Sequence, residues 1–93
     1  MATTQLGSWT QFNFNISPEA RSEFDRALQG FVGVSYKPLA VATQPVSGTN
    51  YCFLCEASVV TPGAQPWAAK LYIYQPLQGN PHITKIIQDT PEN

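Results

Sequence analysis

The sequence predicts an α+β domain in which a single α-helix packs on an antiparallel, twisted sheet of four to five strands. One amphipathic helical pattern lies in the first third of the chain, and several segments of strand-like alternation follow it. Gaps with Gly or Pro separate consecutive segments, which is typical of hairpins. Residues 1–93 are predicted to form one domain, with residues 1–5 disordered and residues 89–93 a solvated tail.

Composition excludes several classes of function. Apolar residues make up 43% of the chain, which is enough for a packed core, and the net charge of −1 leaves no basic stripe for nucleic acid. No apolar run approaches the roughly 20 residues of a membrane span. Residues 1–10 lack the pattern of a signal peptide, so we expect a cytoplasmic protein or the mature form of a secreted one.

The helix is predicted to begin at Ser17-Pro18-Glu19, where Ser17 can cap and Pro18 suits the first helical position. Its apolar face comprises Ala20, Phe24, Ala27, Leu28 and Phe31, and Arg21 with Asp25 and Glu23 with Arg26 have the spacing of surface ion pairs. Before the helix, residues 11–16 alternate, with Phe12, Phe14 and Ile16 on one side. This alternation predicts a half-buried strand.

Four further strands are predicted after the helix, at residues 39–43, 49–60, 67–75 and 82–88. In the second of these, one face carries Tyr51, Phe53, Cys55, Ala57 and Val59. We expect one face of this strand to lie against the helix. The gap at residues 75–81, called the second tip below, contains two prolines and a glycine and joins the last two strands.

The two cysteines, Cys52 and Cys55, are predicted to be free thiols. A spacing of three along a strand places them on opposite faces and about 10 Å apart, whereas a disulfide needs Cα atoms closer than about 7 Å. A Cys-x-x-Cys redox or metal motif is the alternative, but the sequence offers neither a second cysteine pair nor a histidine besides His82. We therefore predict no metal ligand, no cofactor and no catalytic residue.

Gln44-Pro45-Val46-Ser47-Gly48, called the first tip below, interrupts two predicted strands. Pro45 fixes its own φ and holds Gln44 extended, and Gly48 can adopt the positive φ that reverses the chain. The pattern alone predicts a rigid hairpin turn.

The first tip, continued by Thr49-Asn50-Tyr51, resembles the cystatins, inhibitors of papain-like cysteine proteases that carry Gln-x-Val-x-Gly here, commonly followed by Thr-Asn-Tyr. Leu6-Gly7-Ser8-Trp9 is similar to the N-terminal trunk of plant-type cystatins, with Ser8 replacing the second Gly of Gly-Gly-Trp. Residues 69–74 resemble the strand that leads to the family's Pro-Trp, so Leu77 after Pro76 replaces that Trp. The dipeptide Pro66-Trp67 lies at another loop, where Trp67 is predicted to be a packing residue.

The resemblance implies the cystatin fold and reversible, tight-binding inhibition of a papain-like, cathepsin-type cysteine protease. Three segments, called the wedge below, would enter the active-site cleft and leave the inhibitor uncleaved. Leu6 would fill an apolar subsite, Gly7 would let the backbone pass close to the enzyme, and Val46 and Ser47 would contact the cleft walls. The predicted wedge residues are Leu6, Gly7, Gln44, Pro45, Val46, Ser47, Gly48, Pro76 and Leu77.

Other functions remain open from the sequence. The chain could be a cystatin-fold interaction module that does not inhibit, since fold does not fix function, or a scaffold whose tips serve another target. An enzyme is the remaining class, but His82 has no predicted nucleophile or orienting group. We expect a monomer, with a domain-swapped dimer hinged at the first tip as the alternative.

Overall fold

The structure is a computed structural model that describes residues 7–91. In this range it contains one helix and four strands, in the order α1 (Pro18–Ala27), β1 (Val34–Val46), β2 (Gly48–Val59), β3 (Trp67–Gln75) and β4 (His82–Gln88). The strands form one antiparallel sheet in which each pairs with the strand before it. The predicted α+β class, with one helix on an antiparallel sheet, is confirmed.

The predicted start of the helix is confirmed. Ser17 is the N-cap, and its Oγ accepts a hydrogen bond of 3.1 Å from the N–H of Ala20. Pro18 occupies the first turn, where a missing N–H is harmless. The surface pairs are also present, with Arg21 Nε 3.2 Å from Asp25 Oδ1 and Arg26 Nη1 3.4 Å from Glu23 Oε1.

The helix ends before Leu28 and Phe31, which were predicted to belong to its apolar face. Ala27 is the last helical residue and Leu28 is the C-cap, and Gly30 then adopts a φ of 82°. Because this left-handed residue turns the chain away from the helix axis, Phe31 does not continue the apolar face. Its side chain is 43% exposed and its ring lies 5.9 Å from that of Tyr36 in β1.

The hydrophobic core lies between α1 and one face of the sheet. Phe24 of the helix meets Phe53 of β2 edge to face, with ring centroids 4.8 Å apart. One face of β2 lies against the helix, as predicted, and it is the face that carries Phe53, Cys55 and Ala57, each at most 1% exposed. The buried cluster consists of Ala20, Phe24, Val41, Phe53, Cys55, Leu71 and Ile73.

The bounds predicted for β3 and β4 are confirmed, whereas β1 is longer than predicted. It begins at Val34 and passes through Pro38, at a point where the register with β2 shifts between Pro38 and Ala40. Leu39 is the extra residue of this bulge. Prolines are tolerated at bulges because the regular ladder is already interrupted there, so Pro38 does not end the strand.

The predicted strand at residues 11–16 is wrong. The structure has only an isolated bridge there, between Asn13 and Val41, with hydrogen bonds of 2.8 and 3.0 Å. Phe14, which the prediction places on the apolar side of this strand, is 71% exposed. Residues 7–16, called the N-terminal segment below, nevertheless run antiparallel along the outer edge of β1.

A threonine side chain explains why the N-terminal segment is not a regular strand. Thr10 donates its N–H to the carbonyl of Thr43 (2.9 Å), but the N–H of Thr43 binds the Thr10 side-chain Oγ1 (3.0 Å) instead of a backbone carbonyl. The next pair is Asn13 with Val41, so three residues of the segment span two of β1. This mismatch prevents a continuous ladder.

Candidate functional site

Three segments that are distant in the sequence meet at one end of the sheet. The N–H of Gly7 donates to the carbonyl of Pro45 at 2.9 Å, which joins the N-terminal segment to the first tip. The backbone of Gly48, at the other side of the first tip, lies against Gln75 and Pro76 of the second tip. The first tip therefore lies between the other two segments and contacts both.

Gly7 is close-packed against the first tip. A Cβ atom on Gly7 would lie 2.8 Å from Cδ of Pro45 and 3.2 Å from its carbonyl oxygen. A larger residue would therefore push the segment away from β1. The requirement for glycine here comes from this close approach rather than from an unusual φ.

The first tip is tighter than the sequence predicts. Gln44, Pro45 and Val46 belong to β1 and Gly48 to β2, so Ser47 alone lies between the strands. Pro45 is acceptable in β1 because its carbonyl faces the outer edge, and the N–H that it lacks would face the same way. A side-chain hydrogen bond also joins the two strands near the turn: Asn50 Nδ2 donates to Oε1 of Gln44 at 2.9 Å.

Gly48 must remain a glycine for two reasons. Its φ is 102°, a region that other residues rarely enter. A Cβ here would also collide with the carbonyl oxygen of Gln75 and would lie 3.1 Å from Cα of Pro76. The two tips therefore touch through their backbones, without a side chain between them.

The second tip is held by a side-chain amide. Gln75 donates from Nε2 to the carbonyls of Pro76 (2.9 Å) and Gly79 (3.1 Å). Arg26 of the helix donates to Oδ1 of Asn80 at 3.0 Å, which ties this turn to α1. Leu77 points outward and is 77% exposed.

The structure therefore brings together Gly7, Gln44, Pro45, Val46, Ser47, Gly48 and Pro76, with Leu77 exposed on the same second tip. Leu6 lies outside the described residues. Trp67 begins β3 away from both tips and is partly buried, as predicted for a packing residue.

The anchoring of the N-terminal segment could not be predicted from the sequence. Ala42, Cys52, Tyr72 and Lys85 form a row across β1 to β4, on the sheet face opposite the helix. The Trp9 ring meets that of Tyr72 edge to face at 6.0 Å, in a groove that Ala42 and Cys52 also line. Because Ala42 and Cys52 are small, the indole can reach across two strands. Trp9 thus anchors the segment that contains Gly7.

The cysteines are free and occupy opposite faces, as predicted. Burial raises the pKa of the Cys55 thiol to about 12, and also raises the pKa of Cys52. Both therefore remain protonated at neutral pH and are poor nucleophiles. His82 begins β4 with its ring 5.8 Å from that of Tyr74. No cluster of three potential metal ligands occurs within residues 7–91.

Replacing Trp9 with alanine is expected to expose Cys52. Loss of the indole removes burial that holds the pKa of this thiol up, so both its accessibility and its thiolate fraction should rise. We expect roughly tenfold faster reaction with a thiol reagent at pH 8. Phe14→Ala is the matched control, because it removes an exposed aromatic ring from the same segment. Equal rates in the two variants would contradict the anchoring role of Trp9.

None of the protein-family models, curated proteins or solved structures with which the chain was compared matches it. Within the described range, the helix is too short and too polar to cross a membrane.

Proposed function

We propose that this chain is a reversible, tight-binding inhibitor of papain-like cysteine proteases, which enters the active-site cleft with the wedge. The observation that carries the proposal is the meeting of the three cystatin-like segments at one end of the sheet. Gly7 bonds to Pro45, and Gly48 packs on Gln75 and Pro76. Gly7 and the two tips are distant from one another in the sequence, and the fold brings them into contact.

The composition of the two tips suits insertion into a cleft. Residues 44–49 and 75–81 carry no Asp, Glu, Lys or Arg. Burying them against an enzyme therefore desolvates no carboxylate, ammonium or guanidinium group, which would be costly without a partner. The polar groups at the tips are backbone amides, hydroxyls and side-chain amides, which can exchange hydrogen bonds with water for bonds with the enzyme.

Preorganisation supports tight binding. The first tip is a hairpin with one residue between its strands, and the second tip is held by the Gln75 amide. Segments that are already ordered lose little conformational entropy on association. An interface of ordinary size, about 1,600 Å² in total, then suffices for high affinity.

The mechanism is steric. The wedge would cover the catalytic cysteine of the protease and present no scissile peptide bond to it, so the inhibitor would remain uncleaved. Ser47 and Leu77 are exposed and would be presented to the enzyme in this arrangement. Leu77 offers less apolar area than the tryptophan common in the family and has no indole donor, so the second tip should contribute less affinity. In this proposal the chain is not an enzyme and needs no metal or cofactor.

The exposed Leu77 also supports a second candidate, a cystatin-fold interaction module that does not inhibit proteases. An exposed apolar side chain at a rigid turn can serve as the anchor of another interface. The two candidates differ in whether the isolated chain blocks a papain-like enzyme.

Titration of active papain with this chain, followed with a fluorogenic peptide substrate, tests the proposal. We expect inhibition at submicromolar concentration that is reversed by dilution, with the chain intact by mass spectrometry afterward. If the folded chain leaves both papain and a cathepsin-type protease active at micromolar concentration, the inhibitor function is refuted and the interaction module takes its place. The titration should use the monomer fraction from gel filtration, because a dimer swapped at the first tip would hide that tip.

A further inference from the structure

Tyr74 connects the two tips. It is the residue of β3 immediately before the second tip, and it is paired with Asn50 of β2 and His82 of β4. Its side chain lies on the face opposite the helix, because the neighbouring Ile73 is buried in the core. From there its hydroxyl group donates a hydrogen bond to the carbonyl of Ser47, the single residue at the turn of the first tip.

The acceptor of this hydrogen bond, Ser47, lies beyond the last residue pair between β2 and β3. The last pair between β2 and β3 is Thr49 with Gln75, so no ladder hydrogen bond to β3 restrains the turn at Ser47. A hairpin end that projects past its neighbouring strand can bend out of the plane of the sheet. The Tyr74 hydroxyl restrains that bending at the most distant residue of the turn.

The Tyr74 ring packs between the backbone of the first tip and His82 of β4. A Cβ on Gly48 would lie 3.2 Å from Cε1 of Tyr74, so the ring lies directly against the backbone of the first tip. On its other side the ring meets His82 edge to face, with centroids 5.8 Å apart and an interplanar angle of 80°. The ring is therefore held between the first tip and β4.

The neighbouring residue restrains the second tip. The Gln75 amide bonds to the carbonyls of Pro76 and Gly79. Two consecutive side chains thus act on different tips, Tyr74 on the first and Gln75 on the second. Because both belong to β3, this one strand carries a side-chain restraint on each tip.

We propose that Tyr74 is a positioning residue that fixes the first tip relative to the second, and thereby the shape of the wedge. This inference rests on the proposed inhibitory function. Its effect on binding is indirect, because the tyrosine hydroxyl bonds to Ser47 within the chain rather than to the protease. Removing the hydroxyl group should leave the fold intact and increase the freedom of the first tip.

Tyr74→Phe tests the proposal, with Tyr36→Phe as the matched control. Tyr36 loses the same hydroxyl group, but it lies in β1 near the opposite end of the sheet, beside Phe31. The first measurement is amide hydrogen exchange at Ser47 and Gly48 in the free protein, followed by NMR. We expect about 3–10-fold faster exchange in Tyr74→Phe and no change in Tyr36→Phe, in keeping with the loss of one hydrogen bond.

The second measurement is the dissociation rate from papain, which should rise by a similar factor, about 3–10-fold, in Tyr74→Phe alone. Unchanged exchange at the first tip would overturn the proposal whatever papain shows. Faster exchange with an unchanged dissociation rate would also overturn the positioning role. If the parent chain fails to inhibit papain while Tyr74→Phe speeds exchange, the inhibitory function fails, but the restraint of the tip by Tyr74 is supported.

Discussion

Replacing Gly48 with glutamate is expected to weaken inhibition of papain severely, raising the inhibition constant by at least about 100-fold. The substitution places a Cβ against the carbonyl of Gln75 and 3.1 Å from Cα of Pro76. The first tip must then move away from the second, which changes the shape of the wedge. The new carboxylate would also have to lose its hydration in the cleft. Titration of papain with the variant measures the effect.

Gly63→Glu separates this effect from simple backbone strain. Gly63 has a φ of 83°, in the same left-handed region as Gly48, but a Cβ added there would meet no atom within 4 Å. Its loop, at residues 60–66, connects β2 to β3 away from the tips. Both variants should lose about 1–2 kcal/mol of stability from the left-handed backbone, yet only Gly48→Glu should lose inhibition. Comparable loss of inhibition in Gly63→Glu would mean that strain or charge, and not tip geometry, is responsible.

Phe24→Ala is expected to lower the free energy of unfolding by about 3–5 kcal/mol. Phe24 is 3% exposed and packs edge to face on Phe53, so its removal leaves a cavity between the helix and the sheet. Domains of this size have a total stability of roughly 5–15 kcal/mol. The variant should therefore lose a large fraction of the total stability, which urea denaturation followed by circular dichroism would measure.

Phe14→Ala removes the same atoms from a residue that is 71% exposed. Its effect should remain within about 0.5 kcal/mol. If the two alanine variants were equally stable, the helix would not pack on the sheet through Phe24, and the assignment of the core would be wrong.

The sequence could predict the elements whose boundaries are set by local chemistry. Pro66 and Pro76 flank β3, and Pro81 precedes β4. These prolines explain why the bounds of both strands could be predicted correctly. Ser17 and Pro18 similarly place the start of the helix. These signals act within a few residues and depend on fixed φ values or missing donors.

Features that depend on distant residues could not be predicted in this way. The alternation at residues 11–16 resembles a strand, but the hydrogen bond from Thr43 to the Thr10 side chain disrupts the ladder. Likewise, Trp9 could be interpreted only after its partner Tyr72 was known from the sheet register.

The candidate site likewise has a part that the sequence predicts and a part that depends on contacts between distant residues. The cystatin resemblance points to the two tips and Gly7, and in the structure these segments contact one another. The hydrogen bond from Tyr74 to Ser47 has no such signal, because nothing in the local sequence indicates it. Patterns identify residues at turns, whereas the side chains that hold turns in place become visible only in three dimensions.

The hydrogen bonds between the N-terminal segment and β1 also cover part of one edge of the sheet. Exposed edge strands can pair with other chains and aggregate, and the segment occupies the outer side of β1 at Val41, Thr43 and Pro45. Removing it would extend the open edge along the whole of β1. Deletion variants designed to probe protease binding would then tend to form strand-paired oligomers, so their oligomeric state must be measured before a loss of inhibition is assigned to the wedge.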